Sequence, residues 1–172
     1  MSTFYIGCDL GKKGGFVVLD PNGQIIATKV MPIQADEINI LEIAKFLQFH
    51  RKQHDRTHLV MEKFAGFFGY SKMAAVSLAM QSGKVRAACV LVKLPFTAVT
   101  PKQWQKVVWE GTKIQFKKTK DGSKKDTKKT SILTAARLFP NESFLPSPRH
   151  KVPHDGLVDA ALLAEFGRRK GF

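Results

Sequence analysis

The sequence is poor in acidic side chains. It has 14 Asp and Glu residues against 28 Lys and Arg residues, which gives a formal net charge of +14 at pH 7. A surface this basic predicts a polyanionic partner, with nucleic acid favoured over an anionic membrane.

Long apolar runs and ligand-type cysteines are also missing. No apolar run approaches the roughly 20 residues of a membrane span, and the N-terminus enters a strand pattern without the regions of a secretory signal. The two cysteines, Cys8 and Cys89, lie in apolar runs, so we interpret them as reduced core residues. We expect an intracellular protein, in the cytoplasm, the nucleoid or an infected host cell, with no membrane partner.

The apolar content, 44% of 172 residues, is sufficient for one domain with its own core. Runs of β-forming residues bounded by turn signals predict strands, and helical periodicity predicts helices. The expected strands are 3–9, 15–20, 24–31, 57–62 and 96–99. The expected helices are 35–51, 71–92, 101–109, 126–139 and 154–169.

This order of elements is typical of the ribonuclease H-like fold. We therefore predict an α/β protein with a mixed five-stranded sheet, three antiparallel strands followed by parallel ones, and helices on both faces. The whole chain, 1–172, forms a single domain in this prediction. A lysine-rich insert at about 111–126 is too polar to pack, so we expect a mobile loop or a hairpin there.

Four carboxylates stand where this fold can bring them together. Asp9 ends the first strand, Glu62 ends the fourth, and Asp155 and Asp159 lie one turn apart at the start of the last helix. Converging carboxylates repel one another unless cations neutralise them, and oxygen ligands suit Mg²⁺ or Mn²⁺. The pattern predicts two metal ions that activate water and stabilise the leaving oxygen of a phosphodiester.

Two of the acids also have a simpler interpretation. Asp9 precedes a glycine-rich turn, where aspartate is common, and Asp155 is suited to capping a helix or to its positive end. Asp159 is harder to explain structurally, because it lies one turn into an otherwise apolar helix. His154 is interpreted either as a residue of the metal site or as a nearby surface histidine.

Three segments resemble the RuvC family of Holliday-junction resolvases, with the phage-type and chloroplast-type members most similar. They are residues 7–11 (GCDLG), 59–62 (LVME) and 154–164 (HDGLVDAALLA). Residues 100–106 (TPKQWQK), 125–129 (KDTKK) and 137–140 (RLFP) also resemble segments of those members. The similarity extends from about residue 4 to the end of the chain and keeps the order of the family's motifs.

The resemblance implies a homodimeric, Mg²⁺-dependent endonuclease that nicks two strands of a four-way junction symmetrically, with branched DNA as its partner. Asp9, Glu62, Asp155 and Asp159 match the family's acidic tetrad. Many members place the last two acids three residues apart, whereas here they are four apart with His154 beside them. Whether His154 or Asp155 makes the closer metal contact therefore stays open.

Candidate DNA contacts come from basic and aromatic residues. The lysines form a solvated surface or bind the DNA backbone, and with a nuclease site on the same chain we favour backbone contact. They are Lys12, Lys13, Lys102, Lys117, Lys118, Lys124, Lys125, Lys128 and Lys129. Phe67 and Phe68 follow Glu62 and suit either a core loop or a wedge at the junction centre. Trp104 and Trp109 are interpreted as packing residues.

Three other functions compete with this interpretation. A ribonuclease H-like nuclease for RNA or for other branched DNA would use the same metal site. An ATP-binding protein of the actin and sugar-kinase type shares the first glycine-rich turn, although the chain is short for that two-domain fold. An architectural DNA-binding protein explains the charge but leaves the carboxylates without a role.

Overall fold

The computed structural model describes residues 2–63, 71–119 and 122–172. Its strands are β1 (Thr3–Asp9), β2 (Gly15–Leu19), β3 (Ile25–Val30), β4 (Ile33–Gln34), β5 (Glu37–Ile38), β6 (Arg56–Glu62), β7 (Phe96–Val99), β8 (Phe116–Thr119) and β9 (Gly122–Lys125). Its helices are α1 (Ile40–Gln53), α2 (Lys72–Leu91), α3 (Pro101–Val108), α4 (Thr127–Leu138) and α5 (Asp155–Lys170). None of the helices in these ranges is long and apolar enough to cross a membrane.

The main sheet has the mixed topology that the sequence predicts. Its strand order is β3-β2-β1-β6-β7. The first three strands in the chain pair antiparallel, whereas β6 runs parallel to both β1 and β7. The prediction of an α/β protein with a mixed five-stranded sheet is confirmed.

Central strands of the sheet are buried on both faces, because alternate side chains enter two separate apolar cores. Tyr5 and Val17 enter a core that includes the apolar residues of α5. Ile6 and Cys8 enter a second core, which is covered by α1 and α2. Helices therefore cover both faces, as expected, and both cysteines are buried and free.

Helix α5 packs directly on β1 because glycine leaves no side chain at the contact. A Cβ on Gly7 would lie 1.8 Å from the carbonyl oxygen of Ala160, and a Cβ on Gly156 would lie 2.3 Å from that of Lys13. No side chain fits at such distances. Backbone packing therefore fixes how α5 lies against the end of β1.

The first helix begins later than the sequence predicts. Around the expected start at residue 35, β4 and β5 pair antiparallel across a turn in which Ala35 and Asp36 have positive φ angles of 48° and 61°. Asn39 then caps α1, with its side chain accepting a hydrogen bond from the Glu42 backbone N–H at 3.1 Å. The predicted start at residue 35 is wrong because these residues pair as a small hairpin.

The lysine-rich insert forms a two-stranded hairpin in its described part. Strand β8 pairs antiparallel with β9, and the residues of both strands are exposed. Asp126 follows the hairpin and caps α4, accepting a hydrogen bond from the Lys129 backbone N–H at 3.1 Å. The hairpin thus leads directly into a helix that packs beside α5.

Candidate active site

The ends of β1 and β6 place two carboxylates at one edge of the sheet. These strands are parallel, and Cys8 pairs with Met61, so Asp9 and Glu62 follow at adjacent positions. Both are only partly exposed. Acids at the carboxyl ends of adjacent parallel strands lie on the same side of a sheet, which is where ligand sites form in open α/β folds.

Helix α5 adds two further carboxylates. Asp155 is its first residue and is exposed, whereas Asp159 lies one turn further on and is partly buried. His154 caps the helix, with its Nδ1 accepting a hydrogen bond from the Leu157 backbone N–H at 3.3 Å. The capping role that the sequence allowed for Asp155 is therefore performed by His154.

The carboxylates influence one another's ionisation. Burial raises the pKa of Asp9 well above its usual range, and the negative charges of the other three acids raise it further. Burial also raises the pKa of Asp159 to about 6, with a further increase from Asp155, although the Ser131 hydroxyl partly offsets this rise. The pKa of Glu62 is raised by burial and by the charge of Asp159. Like charges therefore crowd this end of the sheet.

A cavity of about 500 Å³ opens beside three of these acids. Its wall includes Glu62 from β6, Asp155 and Asp159 from α5, Trp104 from α3, and Lys128 and Ser131 from α4. Among the described residues, neither Asp9 nor His154 lies on this wall. The structure therefore brings Glu62, Asp155 and Asp159 to one cavity, while Asp9 is close enough to interact with all three by charge.

Trp104 contributes a contact that the sequence does not predict. Its side chain is 1% exposed, and its Nε1–H donates a hydrogen bond to Glu62 Oε2 at 3.1 Å. The hydrogen bond lowers the pKa of Glu62 and so opposes the effect of burial. The sequence offers one signal for this contact, because the N–H group of a buried tryptophan usually needs a hydrogen-bond partner. Trp104 packs in the core, as predicted, but it also holds a site carboxylate.

Two predicted DNA-contacting lysines form ion pairs within the chain. Lys128 Nζ lies 2.6 Å from Asp155 Oδ2, and Lys12 Nζ lies 2.6 Å from Asp36 Oδ2. Lys13 and Lys129 are exposed. Phe67 and Phe68 lie outside the described residues.

A second, more basic groove lies next to the candidate site. Its volume is about 1050 Å³, and its wall carries Lys102, Lys106, Lys125 and Lys170. Gln105 lines this groove and also the cavity at the carboxylates. The two depressions are therefore neighbours on either side of α3. Of the other predicted lysines, Lys117, Lys118 and Lys124 lie on the exposed hairpin.

The donor chemistry of the site fits a hard divalent cation. All four acids offer oxygen ligands, their mutual repulsion would be relieved by positive charge, and the buried Oδ1 of Asp159 has no hydrogen-bond partner in the described part of the chain. However, no three His, Cys, Asp or Glu residues among those described form a ready metal-binding group.

Comparisons with known proteins address the fold. No protein-family model matches the chain, and no curated protein sequence matches it significantly. A Thermus thermophilus RuvC structure matches with a TM-score of 0.64 at 19% identity, covering 98% of this chain and 96% of that one. The T. thermophilus RuvC in complex with a Holliday junction substrate matches with a TM-score of 0.63 at 16% identity over the same shares. The predicted resemblance is thus confirmed at the level of architecture, and the chain has the ribonuclease H-like fold of the RuvC structures.

Proposed function

We propose that this chain is a metal-dependent endonuclease that resolves four-way DNA junctions. The observation that carries the proposal is the gathering of Asp9, Glu62, Asp155 and Asp159 at one end of a RuvC-like fold, in a chain with a net charge of +14. A RuvC of the same architecture is known in complex with a Holliday junction substrate. Hydrolysis would leave 5′-phosphate and 3′-hydroxyl ends.

The four acids would hold Mg²⁺, as two ions, with Mn²⁺ as a substitute. The bound metal would neutralise charge on the scissile phosphate and acidify the attacking water. Trp104 orients Glu62 through its indole N–H, and Ser131 lies against Asp159. His154 keeps α5 capped, which holds Asp155 at the rim of the cavity. We include His154 in the proposed site because it stands next to Asp155 at the start of α5.

Lysines would hold the DNA arms by their phosphates. Those proposed are Lys12, Lys13, Lys102, Lys117, Lys118, Lys124, Lys125, Lys128 and Lys129. Lys102 and Lys125 line the basic groove beside the carboxylates, which is a suitable path for a strand that leaves the cavity. Lys12 and Lys128 would first have to leave their acidic partners. Phe67 and Phe68 stay a sequence-based hypothesis for a wedge at the junction centre.

Paired symmetrical cuts require two active sites, so the proposal includes a homodimer. The test is a substrate panel with Mg²⁺: a labelled four-way junction, a linear duplex of the same sequence, a replication fork and an RNA–DNA hybrid. We expect symmetrical nicks in the junction and no cleavage of the duplex. Preferential cleavage of the hybrid or of the fork would assign the same site to a different substrate. Nucleotide binding with no cleavage of any substrate would favour the ATP-binding alternative.

A further inference from the structure

We propose that Trp104 is a positioning residue that holds Glu62 in the orientation needed for a divalent cation. This inference rests on the proposed function, because it assigns a cation to Glu62. The observation that supports the inference is the hydrogen bond of 3.1 Å from Trp104 Nε1 to Glu62 Oε2. The Trp104 side chain that makes it is 1% exposed.

The indole is placed by regular structure on both sides. Glu62 pairs in register with Val99 of β7, and the Lys63 backbone N–H donates to the Val99 carbonyl oxygen. The chain then turns into α3 immediately after β7. The strand that leads to Trp104 is therefore bonded to the strand that ends at Glu62.

The first turn of α3 is itself held by hydrogen bonds between Thr100 and the N3 residue Gln103. The Thr100 hydroxyl donates to the Gln103 side-chain oxygen at 2.9 Å, and Pro101 occupies the first turn. The Gln103 side-chain oxygen also accepts a hydrogen bond from the Thr100 backbone N–H at 2.9 Å. Such caps remove freedom from the start of a helix. Trp104 thus projects from a rigid element, so its N–H reaches Glu62 from a fixed direction.

The second tryptophan provides a comparison for this contact. The rings of Trp104 and Trp109 meet edge to face at 6.1 Å, and both side chains are buried. Trp109 Nε1 has no hydrogen-bond partner among the described residues. The two indoles therefore pack against each other in the core. Of the two, Trp104 is the one that donates a hydrogen bond to a carboxylate of the candidate site.

The consequence for metal binding follows from the geometry of the carboxylate. With Oε2 held by the indole, Glu62 would keep a fixed orientation on the cavity wall, and its other oxygen would be left for a cation. Outer hydrogen-bond partners of metal ligands typically change metal affinity or activity by about 10- to 100-fold when removed. Loss of the indole N–H should therefore weaken cation binding even where the fold is kept.

The test is calorimetric titration of Mn²⁺ into the free full-length protein. Trp104→Phe keeps an aromatic ring and removes the N–H, and Trp109→Phe is the matched control. We expect Trp104→Phe to weaken Mn²⁺ binding about tenfold and Trp109→Phe to change it less than twofold. In a Glu62→Gln background, adding Trp104→Phe should cause no further loss. Equal effects of the two tryptophan variants, or no effect of Trp104→Phe, would overturn the positioning role.

A measurement on the wild-type protein guards against a folding defect in the variant. The chain has two tryptophans, so ¹⁵N-labelled protein gives two indole N–H signals, and Trp109→Phe identifies that of Trp104. Mg²⁺ should shift the Trp104 signal, and an unmoved signal would overturn the role. If the cation results hold but no nucleic acid is cleaved, the proposed function fails and the positioning role stands. If the wild-type protein binds no divalent cation, both fail.

Discussion

Lys128 Nζ lies 2.6 Å from Asp155 Oδ2, so a lysine of α4 neutralises a carboxylate at the mouth of the candidate site. Their side chains are 64% and 49% exposed. Solvent screens ion pairs at such positions, and their contribution is small. The pair can therefore open when a cation competes for Asp155, which would free Lys128 to contact a DNA phosphate.

Replacing Lys128 should affect cation binding and DNA binding in opposite directions. We expect Lys128→Met to strengthen Mn²⁺ binding by about two- to fivefold, because Asp155 loses a competing partner. Junction binding should weaken, and the dependence of its affinity on salt should become shallower. Calorimetry and binding assays at several salt concentrations measure the two effects.

Lys129→Met is the control for this change, because Lys129 is exposed and its backbone N–H, not its side chain, bonds to Asp126. It should weaken junction binding without strengthening Mn²⁺ binding. If Lys128→Met weakens both, the competition between Lys128 and the cation is wrong.

The raised pKa of Asp159 predicts that ionisation of this side chain destabilises the folded protein when no metal is bound. Its pKa is about 6 in the folded chain because of burial, whereas an unfolded aspartate titrates near 4. The folded state therefore binds more protons between these values, and wild-type stability falls as pH rises through that window. Above about pH 6 the full cost is present.

Asp159→Asn should remove this cost. We expect the free energy of unfolding without metal to rise by up to about 3 kcal/mol at pH 7.5, and the gain to vanish below about pH 4. Urea unfolding at several pH values measures it. Mg²⁺ should stabilise the wild-type protein more than the variant. A variant that is less stable than wild type at pH 7.5 would contradict the assignment of Asp159 as a destabilising charge.

Gly7 should be irreplaceable, because α5 occupies the space of any side chain. Gly7→Ala would place a Cβ 1.8 Å from the Ala160 carbonyl oxygen. We expect a loss of at least about 3 kcal/mol in the free energy of unfolding, at the upper end of overpacking effects. Denaturant unfolding measures this loss, and junction cleavage should fall with it as Asp155 and Asp159 move.

The matched control is Gly83→Ala, which meets no atom within 4 Å inside the continuous helix α2. Alanine favours a helix over glycine by up to about 1 kcal/mol, so this variant should be as stable as wild type or more stable. A Gly7→Ala protein of unchanged stability would show that α5 does not pack on β1 as described.

His50 should make the protein less stable in mild acid. Its ring lies 4.6 Å from the ring of Phe46 and 6.0 Å from that of His54, and burial, followed by the charge of His54, lowers its pKa. The unfolded state therefore binds more protons below about pH 6.5, so stability is lost as pH falls through this range. His50→Phe should lose less stability between pH 7 and 5 than wild type.

An exposed histidine provides the comparison for His50. His150 is exposed in the segment between α4 and α5, so His150→Gln should follow the wild-type stability curve. Thermal unfolding at a series of pH values distinguishes the variants. If His50→Phe and wild type lose stability in parallel, protonation of His50 is not responsible.

The fold could be predicted because local patterns agreed with the global arrangement. The apolar runs ending at Asp9 and Glu62 became the predicted β1 and β6, and Pro101 marked the start of α3 as expected. The predicted helix start at residue 35 was wrong because Ala35 and Asp36 adopt positive φ angles. Neither Ala35 nor Asp36 is a glycine, the residue that usually signals such a turn in a sequence.

The sequence predicts which charged residues belong to the candidate site, but not the contacts that they make. Strand ends and the one-turn spacing identified Asp9, Glu62 and Asp159, since carboxylates at such positions need partners. The contacts of Trp104 and Lys128 depend on how α3 and α4 approach the sheet edge. That approach is set by tertiary packing between segments far apart in sequence, which no local pattern encodes.

The most direct test of the proposed function compares wild-type protein with Asp9→Asn on one labelled four-way junction with Mg²⁺. The variant keeps the shape of the Asp9 side chain and removes its charge. We expect paired nicks by the wild-type protein, and equal junction binding with cleavage reduced at least about 100-fold for Asp9→Asn. Junction cleavage by Asp9→Asn at the wild-type rate would contradict this prediction.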